Sequence, residues 1–289
     1  MFEKVLFPVT TTEITEQLLD FIPNFSFTDT KEVSMLHIVD STDLYGDPII
    51  INADKDLLLK WKARLLSYNF SQIRARVEVG IPWEEIVDIA ERDNYSIIFM
   101  GSHGSRLLKR VFLGSVTENV LHHSKKPVMI FKFGYTINLD DNGQAEAVPG
   151  SELFRKILYA TDFSDNSERC IPYMDKINPD SNDELIMLHI QDLRTLKFAS
   201  QEKISQFNRI DYDRFDRLKD HFQGLGFKNI KTLIKTGYSI SDILDTIDQH
   251  RPSLVIMGAK GKSNIREMIL GGVTEIIVHK SKSPVFIVR

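Results

Sequence analysis

Cysteine is almost missing from this chain: Cys170 is the only one. A single thiol can form neither an internal disulfide nor a cysteine-based zinc site, so a reducing compartment is expected. No apolar run approaches the length needed to cross a bilayer. The first residues, MFEKVLFPV, lack the long apolar region and small-residue cleavage site of a signal peptide. Basic excess is absent as well, and a formal net charge of −4 argues against a general nucleic-acid binder. The expectation is a soluble cytoplasmic protein with no nucleic-acid and no membrane partner. Its 42% hydrophobic and 26% charged residues suit ordinary globular domains, and 289 residues suit two of them.

Familiar catalytic signatures are also missing. GAKGKS, starting at Gly258, looks like the end of a P-loop, but Ile256 stands where that motif needs its first glycine. No G-x-G-x-x-G follows the first strand, and no G-x-S-x-G occurs. An efficient ATPase needs a group that positions water, and none stands out. Slow hydrolysis is the most that is expected.

What the chain does have is one pattern written twice. Apolar runs SIIFM and SLVIM end in Gly101 and Gly258, and glycine-punctuated segments follow, GSHGSRLLKRVFLGSV and GAKGKSNIREMILGGV. A buried strand that breaks into such a loop and then enters a helix suits phosphate. Glycine lets the backbone approach the anion, and amides at the helix start point towards it. Around these loops the first half reads as strands at Lys4–Val9, Val33–Val39, Ile73–Val79, Tyr95–Met100 and Pro127–Phe133. Helical patterns at Glu13–Phe21, Ala53–Tyr68, Trp83–Arg92 and Thr117–His123 separate them. This alternation predicts parallel sheets covered on both faces, with right-handed crossovers.

The polar, turn-rich stretch GYTINLDDNGQAEAVPGS reads as a linker, after which the pattern restarts. KVLFPVT at Lys4 returns as KILYATD at Lys156, and MLHI returns 152 residues on; from Gly80, paired with Gly237, the offset is 157. Five extra residues therefore lie between the second and third strands of the second copy. The expected organisation is a domain over 1–134, a linker over 135–151 and a second domain over 152–289.

Each half resembles a universal stress protein domain, and together they are similar to the tandem form of that family. The family's ATP-binding motif is glycine, two residues, glycine, nine residues, glycine, then serine or threonine. Gly101, Gly104, Gly114 and Ser115 match it throughout. Gly258, Gly261 and Gly271 match its glycines, whereas Gly272 replaces the hydroxyl residue. ATP-binding members also carry an aspartate after the first strand: Asp162 has that position in the second half, and Thr10 in the first. The fold implied is α/β, two tandem doubly wound domains, each a five-stranded parallel sheet of order 3-2-1-4-5 with helices on both faces. That order places a ligand crevice at the carboxyl ends of strands one and four.

The resemblance implies an adenine nucleotide (ATP, ADP or AMP) whose phosphates meet the amides of Gly101, Gly104, Gly114, Ser115, Val116 and Thr117. The corresponding set is Gly258, Gly261, Gly271, Gly272, Val273 and Thr274. Ser115 and Thr117 would add hydroxyl donors, while His103 and Lys260 would offset phosphate charge. Adenine would pack near Ile38 and Met100, or Ile190 and Met257, with the chain at Gly80 or Gly237 as a further wall. Asp162 would contact ribose or help hold Mg²⁺ on the phosphates. Each has a plainer alternative: turn glycines, exposed loop cations, and an Asp162 that only caps a local turn. The first half, with the complete glycine motif, is the favoured phosphate site, and the second is favoured for any metal dependence. His37 and His189, repeated within strand two, read as core histidines with satisfied hydrogen bonds.

The apolar fifth strands follow that order to a sheet edge, and such an edge must be paired or covered. Family habit implies an internal pseudo-dimer through them, and a homodimer of the whole chain. The leading reading is a nucleotide-binding stress-response sensor or regulator. A weak ATPase or nucleotide-transferring enzyme, and a non-binding scaffold, are the alternatives.

Overall fold

The computed structural model describes residues 1–10, 13–41, 48–102, 113–132, 137–139, 145–147, 153–196, 200–261 and 270–289. Two compact units divide it, one built on Met1–Glu152 and one on Leu153–Ile265 with Gly271–Val288.

In unit 1 the order of elements is β1 (Lys4–Val9), α1 (Glu13–Leu19), β2 (Glu32–Asp40), α2 (Pro48–Leu65), β3 (Gln72–Gly80), α3 (Pro82–Arg92), β4 (Ile97–Gly101), α4 (Ser115–His123) and β5 (Val128–Phe131). A 3₁₀ turn, Ile22–Phe27, links α1 to β2. The pairings among these five strands are parallel, and their order across the sheet is β5-β4-β1-β2-β3. The central strands read as unbroken apolar runs because helices cover both faces: Val5, Leu6, Phe7, Ile97, Ile98 and Phe99 are all fully buried. Helix α3 starts on Pro82 with Glu84 and Glu85 in its first turn, and it buries Ile86, Ile89 and Ala90. The helix expected over 53–68 begins earlier, at Pro48, a residue whose fixed φ suits a first helical position.

The polar, turn-rich stretch read as a linker contains β6 (Ile137–Leu139) and β7 (Ala145–Ala147), which pair antiparallel. The Asn142-Gly143 dipeptide between them in the sequence is a strong short-range signal for such pairing.

Unit 2 comprises β8 (Lys156–Ala160), α5 (Asp165–Glu168), α6 (Ile171–Met174), β9 (Glu184–Asp192), α7 (Leu193–Leu196), α8 (Gln201–Gly224), β10 (Asn229–Gly237), α9 (Ser239–His250), β11 (Leu254–Gly258), α10 (Gly272–Lys280) and β12 (Val285–Val288). Its parallel order, β10-β9-β8-β11-β12, is again 3-2-1-4-5 in its own numbering. Two duplicated pairs tie the sheets to the helices that follow strand two. His189 Nδ1 donates to the Thr161 carbonyl at 2.8 Å, and Nε2 lies 3.5 Å from Asp211 of α8. His37 repeats this with the Val9 carbonyl at 3.0 Å and Asp54 of α2 at 3.3 Å. Both ring nitrogens of each histidine are engaged, as expected of core histidines.

Candidate functional site

The glycine loops start from one hydrogen-bond frame. In unit 2 the Ala259 amide donates to Val288, Gly271 donates to Ala259 at 2.9 Å, and Glu275 donates to Gly271 at 2.9 Å. In unit 1 Ser102 donates to Phe131, Gly114 to Ser102 at 2.7 Å, and Glu118 to Gly114 at 2.9 Å. Helices α4 and α10 therefore begin on glycine N-caps with extended backbone and no side-chain cap. The amides of Ser115, Val116 and Thr117, like those of Gly272, Val273 and Thr274, precede the first intrahelical bond. His103 and Gly104 lie outside the described residues, as do Lys109, Arg110, Lys262 and Arg266.

Close approach explains two of the glycines in unit 2. A β-carbon on Gly258 would lie 2.8 Å from the Asn166 carbonyl oxygen and 3.0 Å from the Ser167 amide. One on Gly261 would lie 2.7 Å from Asp162 Oδ2, so the strand-one carboxylate sits against the loop. Gly272 has open space around that position. The threonines act differently from the donors expected. The Thr117 hydroxyl donates to the Gly101 carbonyl at 2.8 Å, and Thr274 donates to Gly258 at 2.9 Å. Each thereby locks helix to strand and has no proton left for a phosphate.

Asp162 combines both of its readings. Oδ1 accepts from the Ser164 amide at 3.0 Å and from its hydroxyl at 2.5 Å, a local turn that leads into α5. Oδ2 faces Gly261. The next residue, Phe163, has φ 56°, a strained value for a bulky residue. Burial holds it there: its ring lies 4.6 Å from His189 and 5.0 Å from Phe215, with the Arg214 guanidinium 5.1 Å away. Thr10, the counterpart of Asp162, is engaged with Thr15: its amide donates to Thr15 Oγ1 at 3.1 Å, and that hydroxyl donates to the Thr10 carbonyl.

Asp162 and the glycine loop beside it open onto a cavity of about 940 Å³ in unit 2. Asp162, Lys260, Gly261, Gly271, Gly272 and Thr274 line one end. Ile190 and Met257 lie on the wall expected for adenine. The β8–β9 register stops at Ala160–Leu188, yet β9 runs on to Asp192. Leu188 accepts from Thr161 at 2.9 Å, so Leu188 faces β8. Strand alternation then turns the amide and carbonyl of Ile190 to that side, beyond the end of β8. A donor and an acceptor thus flank the cavity where a base edge can meet them.

Gly237 is not on this wall. Asp242 of α9 occupies the space over its α-carbon, where a β-carbon would collide with Oδ2, and that oxygen accepts from the Tyr238 amide at 2.7 Å. Gly80 is matched by Glu85 of α3 at 2.6 Å, so both glycines make room for the acid of the next helix. Ser239 and Ile243 line the cavity instead.

The remaining wall escaped the sequence reading: Leu196 of α7, and Lys203, Phe207, Ile210, Asp211 and Arg214 of α8. The carboxylates here are engaged. Asp211 accepts from Gln191 Nε2 at 2.9 Å. Asp192 accepts from Arg194 Nε at 2.8 Å and from the Ser239 hydroxyl at 3.1 Å, and the Arg194 hydrogen bonds hold its carboxyl far below the usual range. The α8 stripe has a signal in its i, i+4, i+7, i+11 spacing, but that spacing alone does not tell a cavity from a core.

A doubly wound unit occurring twice, with glycine loops at the carboxyl ends of its strands, defines a class of tandem α/β modules. The profile of the Universal stress protein family matches residues 1–132 and 153–289, and the chain belongs to that family. A region covering 46% of the chain is 33% identical to universal stress protein MJ0577 of Methanocaldococcus jannaschii, of which it covers 96%. The crystal structure of a universal stress protein from Archaeoglobus fulgidus superimposes with a TM-score of 0.72 at 24% identity, covering 100% of this chain and 99% of that one. It shows the fold in its two-domain extent. Another similar chain, 20% identical over 45% of this one with a TM-score of 0.36, is a universal stress protein solved in complex with cAMP.

Proposed function

We propose that the chain binds adenine nucleotides and acts as a cytoplasmic stress-response regulator rather than a turnover enzyme. One observation carries this: the helix-start amides of α10, the Asp162 carboxylate and the Ile190 backbone all open on one cavity. Phosphates suit the α10 N-terminus, where backbone donors and the helix dipole favour an anion. The base suits Ile190 and Met257. Mg²⁺ keeps several waters and takes one or two carboxylates beside phosphate oxygens, so the single carboxylate Asp162 fits it. When bound, the ion would offset phosphate charge, and Asp162 would be its protein ligand. Unit 1 offers the same frame through Gly101, Gly114, Ser115 and Val116, with Ile38 and Met100 behind it.

The regulator reading is favoured over an ATPase because Asp162, Asp192, Asp211 and His189 all have hydrogen-bond or ion-pair partners. Of these, Asp162 keeps one oxygen towards the glycine loop, and the reading gives that oxygen to the ion rather than to an attacking water. The reading includes domains over 1–134 and 152–289 joined by 135–151, an internal pairing of the two fifth strands, and a homodimer of the chain. Titration calorimetry with ATP, ADP and AMP, with and without Mg²⁺, tests it. Saturable binding that Gly271→Val or Gly114→Val reduces is expected. No saturable heat with any nucleotide overturns it, and robust phosphate release abolished by Gly114→Val would make the chain an enzyme.

A further inference from the structure

Helix α8 presents one face to the cavity, and its order is cation, apolar, apolar, cation: Lys203, Phe207, Ile210, Arg214. Large apolar groups lining a cavity are normally covered. Phe207 and Ile210 are 37% and 40% exposed, although Leu196 and Ile243 beside them on the wall are buried. The Lys203 ammonium lies 5.9 Å from the Phe207 ring centroid, so the ring already carries a cation at one side.

The other half provides an internal control. The histidine–aspartate pairs fix the helix register, since Asp54 in unit 1 does what Asp211 does in unit 2. Counting from that pair, Phe207 corresponds to Ile50, Ile210 to Ala53, Lys203 to Gly46 and Arg214 to Leu57. In the sequence those four positions hold neither an aromatic nor a cation. The complete glycine motif and the helix with the aromatic and the two cations therefore belong to different units.

We infer that Phe207 is the stacking surface for the base, and that it makes unit 2 the tight nucleotide site of the chain. The inference rests on the nucleotide-binding reading. The base would lie between Ile190 and Met257 on the sheet side and Phe207 and Ile210 on the helix side, its edge on the Ile190 backbone. Every nucleobase offers a π face, so an aromatic wall adds affinity for the base, while the phosphate loop holds only the anion. The class of ligand that gains from Phe207 is a nucleotide with its base, not a bare polyphosphate.

Calorimetry on the full chain separates the two claims. Titrations use ATP and, as a baseless probe, pyrophosphate. In Phe207→Ala the ratio of ATP affinity to pyrophosphate affinity should fall roughly tenfold, within the range found for removing one base-stacking aromatic. Phe207→Trp should restore the ratio and report directly. Both natural tryptophans, Trp61 and Trp83, lie in unit 1, so a nucleotide-dependent change in the added fluorescence would come from this wall. An unchanged ratio in Phe207→Ala, with ATP binding still lost in Gly271→Val, overturns the inference and leaves the nucleotide reading intact. No saturable heat with wild-type chain overturns both. ATP binding lost in Gly114→Val and kept in Gly271→Val assigns the tight site to unit 1 and also overturns the inference.

Discussion

Single residues carry the sharpest contrasts between the halves. Gly258 and Gly272 are both glycines of one motif, but only the first is required by contact. Adding a methyl at Gly258 drives it into the Asn166 and Ser167 backbone, so Gly258→Ala should lower unfolding free energy by about 1–3 kcal/mol in urea titration. Gly272→Ser meets nothing, removes glycine's freedom from the unfolded chain and restores the family hydroxyl. It should raise stability by about 0.4–1 kcal/mol, and tighten nucleotide binding in the calorimeter. The sequence could place both glycines at the loop. It could not separate them, because the distinction lies in α5, which approaches from elsewhere in the chain. The same holds for Gly80 and Gly237, which look like ligand-approach glycines until Glu85 and Asp242 are seen over their α-carbons.

Elements were legible where period and punctuation agreed. Strand β1 ran over the residues expected, and β2, β3 and β4 shifted by two residues or fewer, because short β-rich runs, continuous in β1, β2 and β4 and alternating in β3, are bounded by turn signals. Helix α8 was the weak point. Only Asp211, Phe215 and Phe222 are buried along its 24 residues, so its pattern carries a cavity stripe beside a narrow core stripe. The clasp between β9 and α9 makes a prediction at this scale. Arg194 and Ser239 hold the Asp192 carboxyl below its unfolded value, so their contribution is present above the ordinary carboxylate pKa and fades as pH falls through the folded one. Acid unfolding of Arg194→Gln should lie at higher pH than that of the parent, followed by circular dichroism. Lys132 follows β5 and works in the opposite limb. Burial lowers its pKa to about 8, so the native state binds fewer protons than the unfolded state between there and the ordinary lysine value. Stability should rise with pH across that window, and Lys132→Met should flatten the rise.

At the scale of the whole chain, the duplication was the most informative thing in the sequence, because two in-register copies check each other. What it left open was which copy holds the better site, since the motif favoured one half while the described cavity lies in the other. The lone thiol offers a global readout. Cys170 is fully buried, and burial raises its pKa far above the usual thiol range, so the folded chain should react with a thiol reagent only through opening of unit 2. Saturating ATP should slow that reaction if unit 2 binds it, and leave it unchanged if it does not.

The histidine–aspartate pairs also date the lengthening of the second copy in space. His37 and His189 are 152 apart, whereas Asp54 and Asp211 are 157 apart. The five extra residues therefore fall between the strand-two histidine and the paired aspartate, in the stretch that supplies α7 and leads into α8. Strand two before the histidine and the helix after the aspartate keep their register in the sequence. The difference in length between the copies is thus confined to the span between a histidine and an aspartate that face each other, so it leaves their contact unchanged in kind.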